Sequence, residues 1–91
     1  MALSLSTVNR LFDQHMTAAA QGSARAYFEL GMSYSTGSDG VDVDLIAAHK
    51  WFNLAALAGL REGVQLRAEI ATEMGASEIA EAQRQARAWI A

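Results

Sequence analysis

AYFELGMSYSTGSDGVDVDLIAAHKWFNLAALAG, residues 26–59, decides the fold. The stretch reads as two apolar helical segments joined by a glycine- and aspartate-rich turn. Small residues (Gly31, Ala48, Ala55, Ala56) stand where two helices must approach closely, and large ones (Leu30, Tyr34, Trp51, Phe52) fill the space between. Ser23 is a good N-cap for the first segment, which runs to about Ser35, and Gly37 is free to take the left-handed conformation that ends a helix. On a helical wheel only Arg25, Glu29 and Ser33 form a narrow wet strip, with Arg25 and Glu29 spaced as an i,i+4 pair. A helix apolar almost all round is buried on several sides, so this one is expected at the centre of the molecule. In the turn, Gly37 and Gly40 supply backbone freedom, and Asp42 or Asp44 can cap the next helix or oppose its positive end. That next helix, about Val43 to Ala58, presents Leu45, Ala48, Trp51, Phe52, Ala55 and Ala56 as a broad face toward its predecessor. Ile46, Asn53 and Leu57, with Lys50 beside them, form a second stripe, to be covered by a neighbouring helix or by a partner.

Outward from this pair the same periodicity continues. Val8, Leu11, Phe12, Met16 and Ala19 recur at three- and four-residue steps and predict a first helix over about Ser6 to Ala20, capped by Ser4 or Ser6 and ended by Gln21-Gly22. A fourth helix is expected from about Leu60 to Met74, with Gly75 as its stop and an apolar face of Leu60, Gly63, Val64, Leu66, Ile70, Ala71 and Met74. Arg67 falls in the middle of that face. An unpaired buried guanidinium is prohibitive, so it should snorkel or meet a carboxylate. A fifth helix starts with Ser77 as N-cap and Glu78 in its first turn. Its stripe is Ile79, Ala82, Ala86, Trp89 and Ile90, and the final Trp-Ile pair is expected to fold back and close the core.

Ninety-one residues make one domain. A chain this short buries only about 60% of its unfolded surface, so its helices must pack densely. An apolar fraction of 52% is high for such a unit, and either the core uses nearly all of it or some is left for a partner or a second copy. There is no proline, and alanine is abundant, which favours helix over strand. Cysteine is absent, which removes disulfides, thiolate ligands and a cysteine nucleophile. The formal charge of −3 and singly scattered basic residues argue against a grip on nucleic acid or an anionic membrane. The start, MALSLSTVNRLFDQH, has no basic opening and no long apolar core, and no apolar run approaches the roughly 20 residues needed to span a bilayer. A cytoplasmic location is the expectation, and the initial methionine and cap-like ending favour a whole protein.

The pattern Ala26-x3-Leu30-Gly31-x2-Tyr34-x2-Gly37, then Gly40-Val41-x2-Asp44-x3-Ala48-x2-Trp51-Phe52-x2-Ala55-Ala56-x2-Gly59, closely resembles the Sel-one-like repeat, a relative of the tetratricopeptide repeat. Two departures stand out: one extra residue between Gly37 and Gly40, and Ala47 where the family usually has lysine. Gly59 and Gly63 stand 37 residues after Gly22 and Ala26, as the next unit would require, and then the pattern decays at Arg67. The segment from Leu66 onward resembles the helical tail that closes bacterial arrays of these repeats. The resemblance implies an all-α, five-helix, right-handed α/α repeat. Residues 1–22 would be an N-terminal packing helix, 23–59 one full repeat, and 60–91 a degenerate half repeat with a C-terminal cap, since a solenoid unit needs capping. It also implies a non-catalytic adaptor for a protein or peptide partner, using the surface lined by the first helix of each pair.

Little in the sequence competes with that reading. His15 and His49 are the only histidines, and no Cys or His pair at i,i+3 or i,i+4 supplies a zinc site, so both are read as partly buried structural residues. Asp39, Asp42 and Asp44 lack the spacing and the bidentate glutamate of a calcium loop and are read as turn and cap residues. There is no nucleophile elbow and no phosphate-binding glycine loop. Catalytic, cofactor-binding and metal-binding residues are therefore all assigned as none. Arg25, Glu29 and Met32 on the second helix and Ile46, Lys50 and Leu57 on the third are the candidate partner-binding residues. Tyr27, Tyr34 and Trp51 match core positions and are excluded from that set. Beside the adaptor stand two other classes: a structural module that buries its surplus apolar surface in a homodimer, and a small regulatory protein with a ligand pocket between the second and third helices.

Overall fold

The computed structural model describes the backbone from Leu5 to Ala91 and the side chains from Arg10 onward. Five helices follow one another, α1 (Leu5–Ala20), α2 (Ala24–Thr36), α3 (Leu45–Leu57), α4 (Arg61–Ala71) and α5 (Ala76–Ile90), with no strand among the described residues. None of these helices is long and apolar enough to cross a membrane. Ser4 and the side chain of Val8 lie outside what is described, and Ser6 falls inside α1 rather than at its cap.

The α2–α3 hairpin is built by its caps and its turn. Ser23 Oγ accepts the Ala26 N–H at 3.1 Å and opens α2. Gly37, at φ 73°, closes it, with the Gly37 and Ser38 N–H groups both donating to Ser33 O, at 2.8 and 3.0 Å. Asp44 opens α3 by accepting the Ala47 N–H at 3.1 Å, and its own N–H returns to Tyr34 O at 2.9 Å. This capping shortens α3 at its start relative to the expected Val43, which is left exposed.

Between the helices, Tyr27 stacks on Trp51 with centroids 6.0 Å apart, and Phe28 meets Phe52 at 5.8 Å. Phe52 also fills the notch at Gly31, where an added Cβ would lie 2.5 Å from its ring. On the other side of α3 its backbone is approached by Gly63 of α4, where a Cβ would meet Phe52 O at 2.8 Å and Ala56 N at 2.9 Å. α5 completes the core from a third direction. Trp89 lies edge-on to Trp51 at 4.9 Å and donates its indole N–H to Tyr27 Oη at 3.4 Å, while Ala82 and Ala86 are fully buried.

The centre of the molecule is therefore α3, which packs on α2, α4 and α5, and not α2, which is flanked by α1 and α3 as expected but has only a slight contact with α4. Ser33 is the reason the polar strip misled. It is 1% exposed rather than wet, because the following turn folds back over it. Three further expectations are corrected. α4 ends at Ala71, with Thr72, Glu73 and Met74 winding on through i→i+3 bonds, and Val64 on its expected apolar face points out. α5 is capped not by Ser77 but by Gly75, whose N–H donates to Glu78 Oε1 at 2.8 Å, the nearer turn leaving Ser77 inside the first turn. Of the terminal pair Trp89 closes the core, while Ile90 is exposed.

Gly63→Ala tests the close approach. Alanine inside a helix ordinarily gains up to about 1 kcal/mol over glycine, and less in a first turn such as that of Gly63. Here the methyl would press on backbone atoms that cannot rotate away, and overpacking costs about 1–3 kcal/mol. A net loss is expected, lowering the thermal midpoint by roughly 4–8 °C per kcal/mol for a domain of this size. An unchanged or raised midpoint in a calorimetric scan would show that α4 is free to slide off α3.

Candidate functional site

The six candidate partner-binding residues fall on different parts of the surface. Arg25 and Glu29 form the expected i,i+4 pair on α2, 3.8 Å apart and exposed, with the Arg25 guanidinium 5.5 Å over the Phe28 ring. Such an exposed pair adds only a few tenths of a kcal/mol. Met32 is half-buried and packs against the Ala48, Phe52 and Ile70 cluster. On α3, Ile46, Lys50 and Leu57 lie within roughly 40° of one another on the wheel, well away from the Trp51 and Phe52 side that meets α2. Ile46 is half-buried, and Leu57 is 65% exposed. The α2 set and the α3 set thus do not form one face.

Lys50 has the most developed surroundings of the six. Its ammonium lies 4.4 Å from the centroid of the Trp51 ring and 5.2 Å from that of Trp89. Contact with an indole face is attractive for a cation. Burial pushes its pKa below the usual lysine value. Beside it, between α3 and α5, is an open hollow of about 360 Å³ lined by Lys50, Arg84, Gln85, Ala88 and Trp89. Arg84 is engaged by Glu81 one turn back: Nε donates to Oε1 at 2.9 Å, and Nη2 to Oε2. Gln85 donates to the same Oε2 at 2.9 Å. These bonds from Arg84, then from Gln85, hold the Glu81 carboxyl down at about 2. No carboxylate among the described residues pairs with Lys50. A second hollow, of about 330 Å³, is lined by α1 and by Gln21 just after it. These two hollows lie elsewhere than the pocket envisaged between the second and third helices.

Two part-buried polar clusters join the helices. The Ser33 hydroxyl donates its single proton to Asp39 Oδ2 at 2.5 Å, with Glu29 O also near at 3.1 Å. Asp39 sits at φ 57°, a left-handed geometry that aspartate tolerates, and His15 Nε2 of α1 approaches its Oδ2 at 4.0 Å. The second cluster resolves Arg67. Its Nη1 donates to Asn53 Oδ1 of α3 at 2.5 Å, so a carboxamide takes the place of the expected carboxylate. One turn back on α3, His49 is 3% exposed, deeper than the partial burial expected for it, and its Nδ1 has no partner. Burial, then the nearby Arg67 charge, lowers its pKa. No group of three or more His, Cys, Asp or Glu among the described residues is placed to hold a metal ion.

The residues that the wheel missed are Arg84, Gln85 and Trp89 around Lys50. Trp89 was read as core and the other two as lying outside the α5 stripe, and nothing in their spacing signals that α5 docks beside Lys50. Neither a family model, nor a curated protein, nor a solved structure matches the chain.

The His49 environment sets a pH dependence. The folded state holds the imidazole neutral below its usual value of 6.5, whereas the unfolded chain protonates near that value. Stability from this group is thus complete above about pH 6.5 and falls as the pH drops through that value toward the lower folded pKa. In urea titrations the midpoint should drop between pH 7 and 5, and drop less in His49→Gln; parallel curves for the two proteins would assign the loss to other groups.

Proposed function

We propose that this chain is a small non-catalytic interaction module, built on one Sel-one-like α/α repeat, that binds a protein or peptide partner. In this reading α2 and α3 are the repeat, α1 an N-terminal packing helix, α4 a half repeat and α5 the cap. What supports it is that the pattern positions do the jobs a repeat asks of them. Ala26, Leu30, Ala48, Trp51, Phe52 and Ala55 are buried between the helices. Gly31 and Ala56 stand at close approaches, Gly37, Gly40 and Gly59 take positive φ, and Asp44 caps. Ser33 is spent on the turn through Asp39, and Arg67 ties α4 to Asn53 of α3, an arrangement suited to a rigid scaffold whose function lies on its surface.

A second reading has its own observation. Val43, Leu57, Val64 and Ile90 are exposed large apolar residues, and burial of such surface between two copies would make the chain a homo-oligomerisation module. Light scattering after size exclusion, run over a dilution series, separates the two. The interaction module predicts a constant mass near 9.8 kDa at micromolar concentration. A mass of about twice that, persisting on dilution and reduced by Leu57→Ser, would replace the first reading by the second.

A further inference from the structure

We propose that the hollow between α3 and α5 is a binding site for a carboxylate group carried on an apolar stem, with Lys50 as its counter-charge. The proposal deepens the interaction-module reading by naming the chemistry of what is bound, and it rests on that reading only for the carrier of the group.

Three features of the hollow point the same way. First, the Lys50 ammonium is half-buried over two indole rings and has no carboxylate partner among the described residues, although the chain contains ten acidic residues. Folding has already stripped part of its hydration and fixed its position, so a ligand meets a preorganised charge. Secondly, the other cation of the hollow is spoken for. Glu81 accepts from both Arg84 and Gln85, which leaves Lys50 as the one uncompensated charge. One net positive charge beside an apolar wall suits a monoanion; a phosphate dianion would leave an excess negative charge in a partly dehydrated site. Thirdly, Trp89 and Ala88 line the same hollow and offer that wall to an aliphatic stem. The volume of about 360 Å³ lies at the small end for ligand sites, suited to one side chain or one chain end.

Trp51 and Trp89 are the only tryptophans, and both touch the Lys50 ammonium, so indole fluorescence reports on this site. The full chain is titrated with N-acetylleucine, N-acetylglutamic acid α-amide, hexanoate, inorganic phosphate and, as the neutral control, N-acetylleucine amide. A saturable change is expected with the carboxylates and none with the neutral amide. Lys50→Met, which keeps the stem and loses the charge, should weaken binding about tenfold or more, and Lys50→Arg should retain it. The strongest of the three carboxylates then identifies a chain terminus, an acidic side chain or a free aliphatic acid as the source. Equal responses to the acid and its amide, undiminished binding by folded Lys50→Met, or phosphate binding as tightly as the carboxylates would each overturn the proposal. Should Lys50→Met not fold, the wild-type indole N–H resonances decide alone: they must shift with N-acetylleucine and stay fixed with its amide. A negative result in a chain of constant 9.8 kDa mass removes this site and leaves the interaction-module reading standing.

Discussion

Phe52 occupies space that two glycines leave open, and the arrangement of the helices depends on it. Its ring lies where a Cβ on Gly31 would be, and its carbonyl oxygen lies where a Cβ on Gly63 would be. The Phe52 ring thus sets how closely α2 approaches α3, and the α3 backbone from Phe52 to Ala56 sets how closely α4 does. Interiors pack at crystal-like density, and a gap of even one methyl group forfeits a large part of the contact energy on both sides. In a domain with so little interior, the two notches keep the helices in register without any disulfide. Tyr27, Trp51 and Trp89 add a second tie, carrying the contact through α3 from α2 to α5.

Much of this was legible in the sequence because the decisive signals are local. Ser23, Gly37 and Asp44 work within one turn of the helix ends they define, and these three caps fall where propensity places them. The existence of five helices follows from apolar periodicity alone. What was not legible depends on residues far apart in the chain. Ser33 shares a wheel position with Arg25 and Glu29, and only the return of Asp39 over it makes the position dry. Arg67 and Asn53 are separated by 14 residues, and their bond is decided by how α4 crosses α3. The central role passed from α2 to α3 for the same reason. Both helices look apolar nearly all round, and the path of α4 and α5 chooses between them.

The candidate site shows the same division. The sequence places Lys50 beside the second stripe of α3 as a partner-binding candidate, but its surroundings there are supplied by α5. A lysine next to a tryptophan in sequence points away from it on a helix, by about 100°. That its ammonium curls back over Trp51 and reaches Trp89 reflects the flexibility of its four-carbon stem and the arrival of a second indole. The Arg25 and Glu29 pair, by contrast, was fully readable from spacing, and it remains an exposed pair on one helix with no further element brought to it.

The position of α1 has a consequence for how the molecule opens. α2, α3, α4 and α5 are tied through α3, whereas α1 is docked on α2, with His15 reaching the α2–α3 turn at Asp39. The ring pairs that Phe52, Trp51 and Trp89 make join α2, α3 and α5, and no described residue of α1 takes part in them. Partial unfolding should therefore begin there as a separate cooperative unit, with backbone amides of α1 exchanging with solvent deuterium before those of α3. The same peeling would uncover the apolar flank of α2 around Tyr34 and Leu30, the flank that Phe12 and Met16 cover in the closed molecule.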